Sequence, residues 1–410
     1  MVKYNRLVML LLALVLAASL TACTQPNESF NPTREIPPPE DPLPPMDFSM
    51  PFFDFPTIQP SAGSGTASDP WQISTPEHLA WIGNPGYPER LTGHYLLMND
   101  ITAPNNLVIA HVEAEVLQND IARAGAGFLG SLDGNNHTIT VNIYLPSIAG
   151  VGLFRLIGAS GRVSNLSVVG QVDGHSVVGG LAAANEGEII SSTANVEVTG
   201  QYFDIGGLIG INNGFVQGSS AMGTVRGLGL VGGLIGLNID TVEYSYATGN
   251  VDGLNVVGGL IGVCVGAVQN SFATGNVSGL QNIGGLIGAF DYGTVSSSVA
   301  LGAVIESTDG AIGRIWGTGE NNFAVNNHAS AATLINGQPI TGDGTHDNQH
   351  GQTATPEELA TETFWRETMG WDFDEIWIWE SERSLPTLRG LPGAEIPLTY
   401  DYDAYNDEEA

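Results

Sequence analysis

A hexapeptide of the form [VI]GGLIG recurs through the middle of the chain, its second glycine falling at Gly207, Gly233, Gly259 and Gly285. The step between copies is constant, and at about 26 residues it has the length of one small supersecondary unit. A weaker copy, Val178-Gly179-Gly180-Leu181, precedes the set, with Gly152-Leu153-Phe154 before it, and Ile312-Gly313-Arg314-Ile315 trails it. A unit this short cannot enclose a core of its own, so consecutive units must stack and share one. That requirement restricts the fold more than any other property of the chain.

The residues between the copies keep step with them. Val163, Ile189, Val216, Val242, Val268 and Val295 form one column, Ser192, Ser219, Ser245, Ser271 and Ser298 a second, and Ala194, Ala221, Ala247, Ala273 and Ala300 a third. Each unit therefore reads as two or three strands of four to six residues between Gly and Asn turns. Stacked strands lie about 4.8 Å apart, so the columns become ladders along an axis. On this reading the Ser and Ala columns let sheets approach closely, the glycine pairs permit a sharp corner, and Asn185, Asn212 and Asn238 stack at a corner where they can hydrogen-bond one another and tolerate left-handed backbone. Cys264 and Phe290 follow in the asparagine column, so that ladder ends at the fourth coil. The expectation is an all-β solenoid over 151–330 whose coils each take about 26 residues. It is preceded at 65–150 by an N-terminal cap and first coils and followed at 331–390 by a C-terminal cap.

These residues resemble the GLUG-motif repeats of bacterial secreted and surface proteins. The core is Gly233-Leu234-Ile235-Gly236 and its copies; Tyr246-Ala247-Thr248-Gly249 and Phe272-Ala273-Thr274-Gly275 are similar to the family's second strand. The segments Gly65 to Ile73 and Asp133 to Ile139 resemble its lead-in, and Gly370-Trp371-Asp372-Phe373 with Leu385-Pro386-Thr387-Leu388 its close. Members occur in adhesin-like surface proteins and beside the peptidase module of immunoglobulin-cleaving metalloproteases. The resemblance implies a right-handed parallel β-helix in an extracellular setting, and it implies no catalytic residues.

The N-terminus reads as an address. Lys3 and Arg6 precede an apolar run from Leu7 to Leu20, which is short for a membrane span and ends at Leu20-Thr21-Ala22-Cys23. That tetrapeptide resembles the bacterial lipobox, which implies removal of residues 1–22 and lipidation of Cys23. The expected partner is therefore a membrane reached through a lipid anchor, facing the surface or periplasm, on the outer membrane where the source has one. Residues 23–64, crowded with prolines, read as a semi-rigid tether, and 391–410 as an acidic tail. Cleavage would leave 10 basic residues against 43 acidic ones and no lysine. Such a polyanion repels nucleic acid. The remaining thiol, Cys264, stands between Val263 and Val265 and reads as a small buried hydrophobe.

Thr75-Pro76-Glu77 and Thr355-Pro356-Glu357-Glu358 predict short cap helices near 76–83 and 356–366. The second is a capping box. Trp71, Trp365, Trp371, Trp377 and Trp379 lie outside the repeats, where they either seal the caps or offer a sugar platform. No HExxH, GxSxG, Walker or CxxC pattern is present. In the column Asp173, Thr199, Arg226, Asp252, Ser278 no two acids are adjacent, and Gln217 and Gln269 flank Glu243. Paired carboxylates of the kind that a polysaccharide lyase or hydrolase needs are thus not legible. Asp343, His346, Asp347 and His350 have the residue types of a cation site, although a polar loop accounts for them as well. No cofactor is called for. The function expected is surface binding, adhesion or architecture, with a glycan or protein as ligand. A carbohydrate-active enzyme on the same scaffold is the alternative.

Overall fold

The computed structural model describes residues 55–84, 87–110, 127–320, 322–340, 344–382 and 384–393. The body is a parallel β-solenoid. Its first face is a ten-stranded sheet running from Trp71–Ile73 through strands such as Val216's (Phe215–Gln217) to Phe323–Val325. The second face holds seven strands, from Phe154–Ile157 to Trp316–Thr318, and carries the Leu-Ile-Gly part of the repeat. The third face is the longest, with eight-residue strands such as Thr138–Leu145, Ser167–Gly174, Thr193–Gly200 and Val225–Gly232. With ten strands in register, the first face extends roughly 45 Å along the axis.

The columns read from the sequence are ladders. Val163, Ile189, Val216, Val242, Val268 and Val295 are successive Cα partners on the first face, and Ala194, Ala221, Ala247, Ala273 and Ala300 on the third. The first-face column extends to Leu132 and Tyr95 at one end and to Ala324 at the other. These side chains form one continuous core, with Leu181, Leu208, Leu234, Leu260 and Leu286 fully buried along its length. Among the described residues antiparallel pairing is confined to short hairpins: Leu334–Ile335 with Gln338–Pro339, Trp377–Glu380 with Leu385–Leu388, and a bridge from Thr66 to Asp69.

The repeat glycines owe their place to close approach, not to corner geometry. None of Gly207, Gly233, Gly259 and Gly285 has a left-handed φ. A Cβ added at Gly207, Gly233 or Gly259 would lie 2.2, 2.1 or 2.2 Å from the carbonyl oxygen of the same position one coil on, and at Gly207 also 2.8 Å from the Ala221 Cβ. Such contacts are far inside van der Waals distance, so any side chain would force the coils apart. At the last coil Arg314 takes this column, its carbonyl facing Gly285. Among the described residues no further coil of the same kind follows, and the side chain turns into the closing segment.

The left-handed corner lies elsewhere. Asn165, Ser191, Gly218, Tyr244, Asn270, Ser297 and Asn326 adopt φ of 46–58° where the first face turns into the third. Asn185, Asn212 and Asn238, which the sequence pattern suggested for such a role, do not. They do hydrogen-bond one another as expected, and so hold the corner from the second face to the first. The Asn185 Nδ2 donates to the Asn212 Oδ1 at 2.8 Å and the Asn212 Nδ2 to the Asn238 Oδ1 at 2.8 Å. Each amide also grips its own turn: the Asn212 Nδ2 donates to the Gly214 carbonyl at 2.9 Å, and its Oδ1 accepts from the Gly214 N–H. The chain of amides ends on the Cys264 Sγ at 3.7 Å. Burial pushes that thiol up to about 12, and Phe290 beyond it packs edge-on against Trp316.

Serine is required for a similar reason. The N–H groups of Ser192, Ser219, Ser245 and Ser271 each donate to the hydroxyl of the next serine, at 3.1–3.3 Å. The hydroxyls of these four serines each donate in turn to the carbonyl two residues before. Asn327 closes the series, accepting from the Ser298 N–H. Buried corner N–H groups that no sheet partner reaches are satisfied in this way. Small size, the sequence-based reason for this column, is only part of the explanation.

The two ends differ. At the N-terminal end the helix Pro76–Ile82, capped by the Thr75 hydroxyl, buries Leu79, Ala80, Trp81 and Ile82 in the solenoid core, and Phe55 packs against the same core. At the other end residues 344–351 close the stack. Ile315 and Trp316 donate to the Gln349 carbonyl, while the buried Arg314 guanidinium donates to the carbonyls of His350, Gly351 and Ser330 and to the Thr353 hydroxyl. The helix Pro356–Leu359, with the predicted capping box, then leads into a layer on the side of the rod. There Trp365, Trp371 and Trp377 pack on Tyr246, Phe272, Val299 and Leu301, which project outward from the third face. This layer runs back toward the earlier coils, for a Cβ on Gly393 would meet the Ser167 hydroxyl at 2.4 Å.

Candidate functional site

Cys23 and Asp343 lie outside the described residues. His346 is exposed and its Nδ1 accepts from the Asn326 N–H at 3.3 Å; Asp347 accepts from the Thr345 hydroxyl at 2.6 Å. The His350 carbonyl serves Arg314, and its Nδ1 is buried without a hydrogen bond. Among the described residues no group of three or more His, Cys, Asp and Glu side chains converges as a metal site. The segment's visible work is closure of the core. Sequence reasoning passed over the part played here by Arg314. The signal was a large cation standing in the column of a repeat glycine.

Three of the five tryptophans outside the repeats are internal, while Trp71 and Trp379 are half-buried against the core and the side layer. Trp365, Trp371 and Trp377 are buried, with Trp371 and Trp377 stacked at 4.5 Å between ring centroids and Trp371 Nε1 donating to the Ser297 carbonyl. Their faces contact one another and Phe272, so they present no flat platform to solvent.

Where acids occur on paired strands, neighbouring coils supply other residue types. Glu243 receives the Gln217 amide at 2.6 Å and the Gln269 amide at 2.5 Å, one on each carboxylate oxygen. Glu188 pairs with Arg162 at 2.5 Å on the exposed first face, and Asp252 accepts from the Ser278 hydroxyl. Arg226 is opposite Asp252 in register but forms no ion pair with it. The acids on the third face that come nearest in register, Asp173 and Glu197, belong to adjacent coils two residues out of step, because Asp173 faces Thr199 and Glu197 faces Gln171.

Asp204 is the exception to this pattern of partnered or solvated carboxylates. It sits at a left-handed position, φ 62°, in a column otherwise held by Val177, Leu230, Val256 and Asn282. The residue as a whole is partly exposed, yet its Oδ1 is sealed from solvent with no hydrogen-bond partner. Burial pushes its carboxyl up to about 7. A single such group, with no second acid in its column, is no acid–base pair.

The third face outside the tryptophan layer is open and polar. Asn142, Gln171 and Glu197 form one outward column on three consecutive coils. With Asn195 and Gly170 they line a shallow depression of about 480 Å³. The Gln171 Nε2 donates to the Asn142 Oδ1 at 2.6 Å, and the Asn142 Nδ2 to the Asn105 Oδ1 at 3.1 Å. Farther along, the Asn250 Oδ1 accepts from the Asn276 N–H and the Asn276 Oδ1 from the Val304 N–H.

Comparison with known proteins agrees with this architecture at its centre. Residues 227–252 match the GLUG motif, one coil from the approach to a Gly-Gly-Leu-Ile-Gly segment through the Tyr246-Ala247-Thr248-Gly249 strand. The chain is 34% identical over 160 residues to halomucin of Haloquadratum walsbyi. That stretch is 37% of this chain and 2% of halomucin's length. Among solved structures, the crystal structure of a "putative immunoglobulin A1 protease" from Bacteroides ovatus aligns with a TM-score of 0.46 and 16% identity, over 81% of this chain and 95% of that one.

Proposed function

We propose that this chain is a lipid-anchored surface module that presents the third face of a rigid solenoid to an extended extracellular ligand, without catalysing a reaction on it. The observation that carries the reading is the uneven use of polar groups. Acids on the first face are engaged by amides or arginine from adjacent coils, whereas the third face repeats hydrogen-bonding side chains toward solvent on coil after coil. A surface of this kind suits an elongated partner that makes many similar contacts, since a stacked sheet presents equivalent positions about every 4.8 Å. Hydrolysis or elimination of a polysaccharide needs two groups converging on one bond, and the registers above pair no acid with an acid.

The anchor follows from Leu20-Thr21-Ala22-Cys23 after a short apolar run, and the surface location is consistent with the GLUG match and the halomucin relative. The test has two arms. Purified full-length chain is applied to an array of glycans and extracellular-matrix proteins, and then incubated with whatever it retains. Retention without new reducing ends or unsaturated products is expected; product formation that Glu197→Gln abolishes would establish the enzyme instead. In cells, Cys23→Ala should release the protein from membranes, and unchanged partitioning would refute lipidation.

A further inference from the structure

We propose that the depression around Asn142, Gln171 and Glu197 is a subsite for an uncharged polysaccharide, with Tyr144 as the surface on which a sugar ring stacks. The inference rests on the reading of the third face as a binding surface and names the ligand class.

Tyr144 is 64% exposed. It lies outward on the same strand as Asn142, two residues along and so about 7 Å away. A tyrosine on a solvent-facing sheet offers a flat apolar ring with a polar tip, which suits a pyranose face whose C–H groups are apolar and whose rim is hydroxyl. Beside it the side chains supply both donors and acceptors. The amide chain from Gln171 to Asn142 to Asn105 uses one hydrogen of each donor group, leaving Gln171 with its Oε1 and a second N–H hydrogen. Among the described residues, the exposed side chains of Asn195 and Glu197 have no partner. The floor is bare backbone: Gly170 has φ 125°, and a Cβ there would lie 2.0 Å from the Val141 carbonyl oxygen. A ring that stacks on Tyr144 can thus settle against the sheet with amides and a carboxylate at its edge.

Charge decides between classes of glycan. Glu197 stands in the depression, Asp173 is in the next column, and the whole chain carries a net charge of −31. The one arginine on this face among the described residues, Arg226, stands opposite Asp252. Uronate or sulfated polymers are repelled by such a field. Neutral sugars make the same hydrogen bonds at no such cost.

The test measures binding of the purified full-length chain to a neutral β-glucan or mannan, to polygalacturonate, to chitosan and to matrix proteins. Binding to a neutral polymer is expected, at least tenfold weaker in Tyr144→Ala and in Gln171→Ala. Phe323→Ala, on the first face at the far end of the rod, should bind as the parent does. Unfolding midpoints equal to the parent's show that the variants are folded. Neutral-polymer binding that survives Tyr144→Ala overturns the subsite and leaves the broader function standing. Retention of charged glycans or proteins alone overturns the ligand class. Retention of nothing on any surface overturns the binding function itself.

Discussion

In the coils between 178 and 300 the buried side chains answer to counterparts one coil away, whereas in the layer between 356 and 388 none does. The coils are held by backbone ladders and by rows of small residues that admit no extra volume. The layer is held by large rings packed on Phe272 and Tyr246. A repeating backbone contact leaves almost no tolerance at a given position because every coil imposes the same distance on the next. An aromatic cluster spreads its energy over irregular contacts and is tied to the rod along one side only.

The largest effect should come from Gly233→Val. Its Cβ would lie 2.1 Å from the Gly259 carbonyl, and the chain is expected to lose cooperative unfolding or to fail to accumulate in soluble form. A variant that melts within a few degrees of the parent would show that the coils can spread, and would erase the contrast with the layer. Trp377→Ala comes next, at about 4 kcal/mol, from the removal of a fully buried indole. The loss should be local: hydrogen exchange is expected to rise in 356–388 while the coils stay protected, and equal deprotection of both regions would mean that the rod depends on its side layer. Asn212→Ala should destabilise the chain by about 2 kcal/mol in chemical denaturation, since it breaks the amide chain and leaves buried partners on Asn185 and Gly214 unpaired.

The effect most dependent on conditions belongs to Asp204→Asn. The Asp204 carboxyl is pushed up to about 7 in the fold from an ordinary value of 3.8. Between those values the folded chain retains a proton that the unfolded chain has released. Stability therefore falls as pH rises through this window, and the stability owed to the protonated form is lost above about 7. The asparagine variant should lack this dependence, so that its melting temperature gains on the parent's from pH 4 to pH 8. A difference that stays flat across that range would mean that the buried carboxyl is solvated in solution.

The GLIG copies at a constant spacing placed Val216, Ala221 and their counterparts in the right ladders, because a parallel stack preserves sequence offsets as register. Asparagine stacking and its end at Cys264 were equally legible. Two reasons given for the pattern were not. Glycine at 207 and its copies reads as corner flexibility until the next coil's carbonyl is in view, and serine at 219 reads as small volume until its hydroxyl is seen to bridge two coils. Of the candidate subsite, Asn142, Gln171 and Glu197 are register partners on coils of unequal length, and Tyr144 belongs to a coil without the GLIG signature. Irregular early coils hide such a column from any search by period.

That short units share a core follows from the amino-acid sequence alone, since no single repeat unit of this composition can bury its own apolar face. What surrounds that core was settled by the folded chain: which tryptophans are spent inside a side layer, that Arg314 plugs the last coil, and which stretch of the third face stays open. Those outcomes depend on contacts between residues far apart in the chain and with no common period, so no local pattern records them.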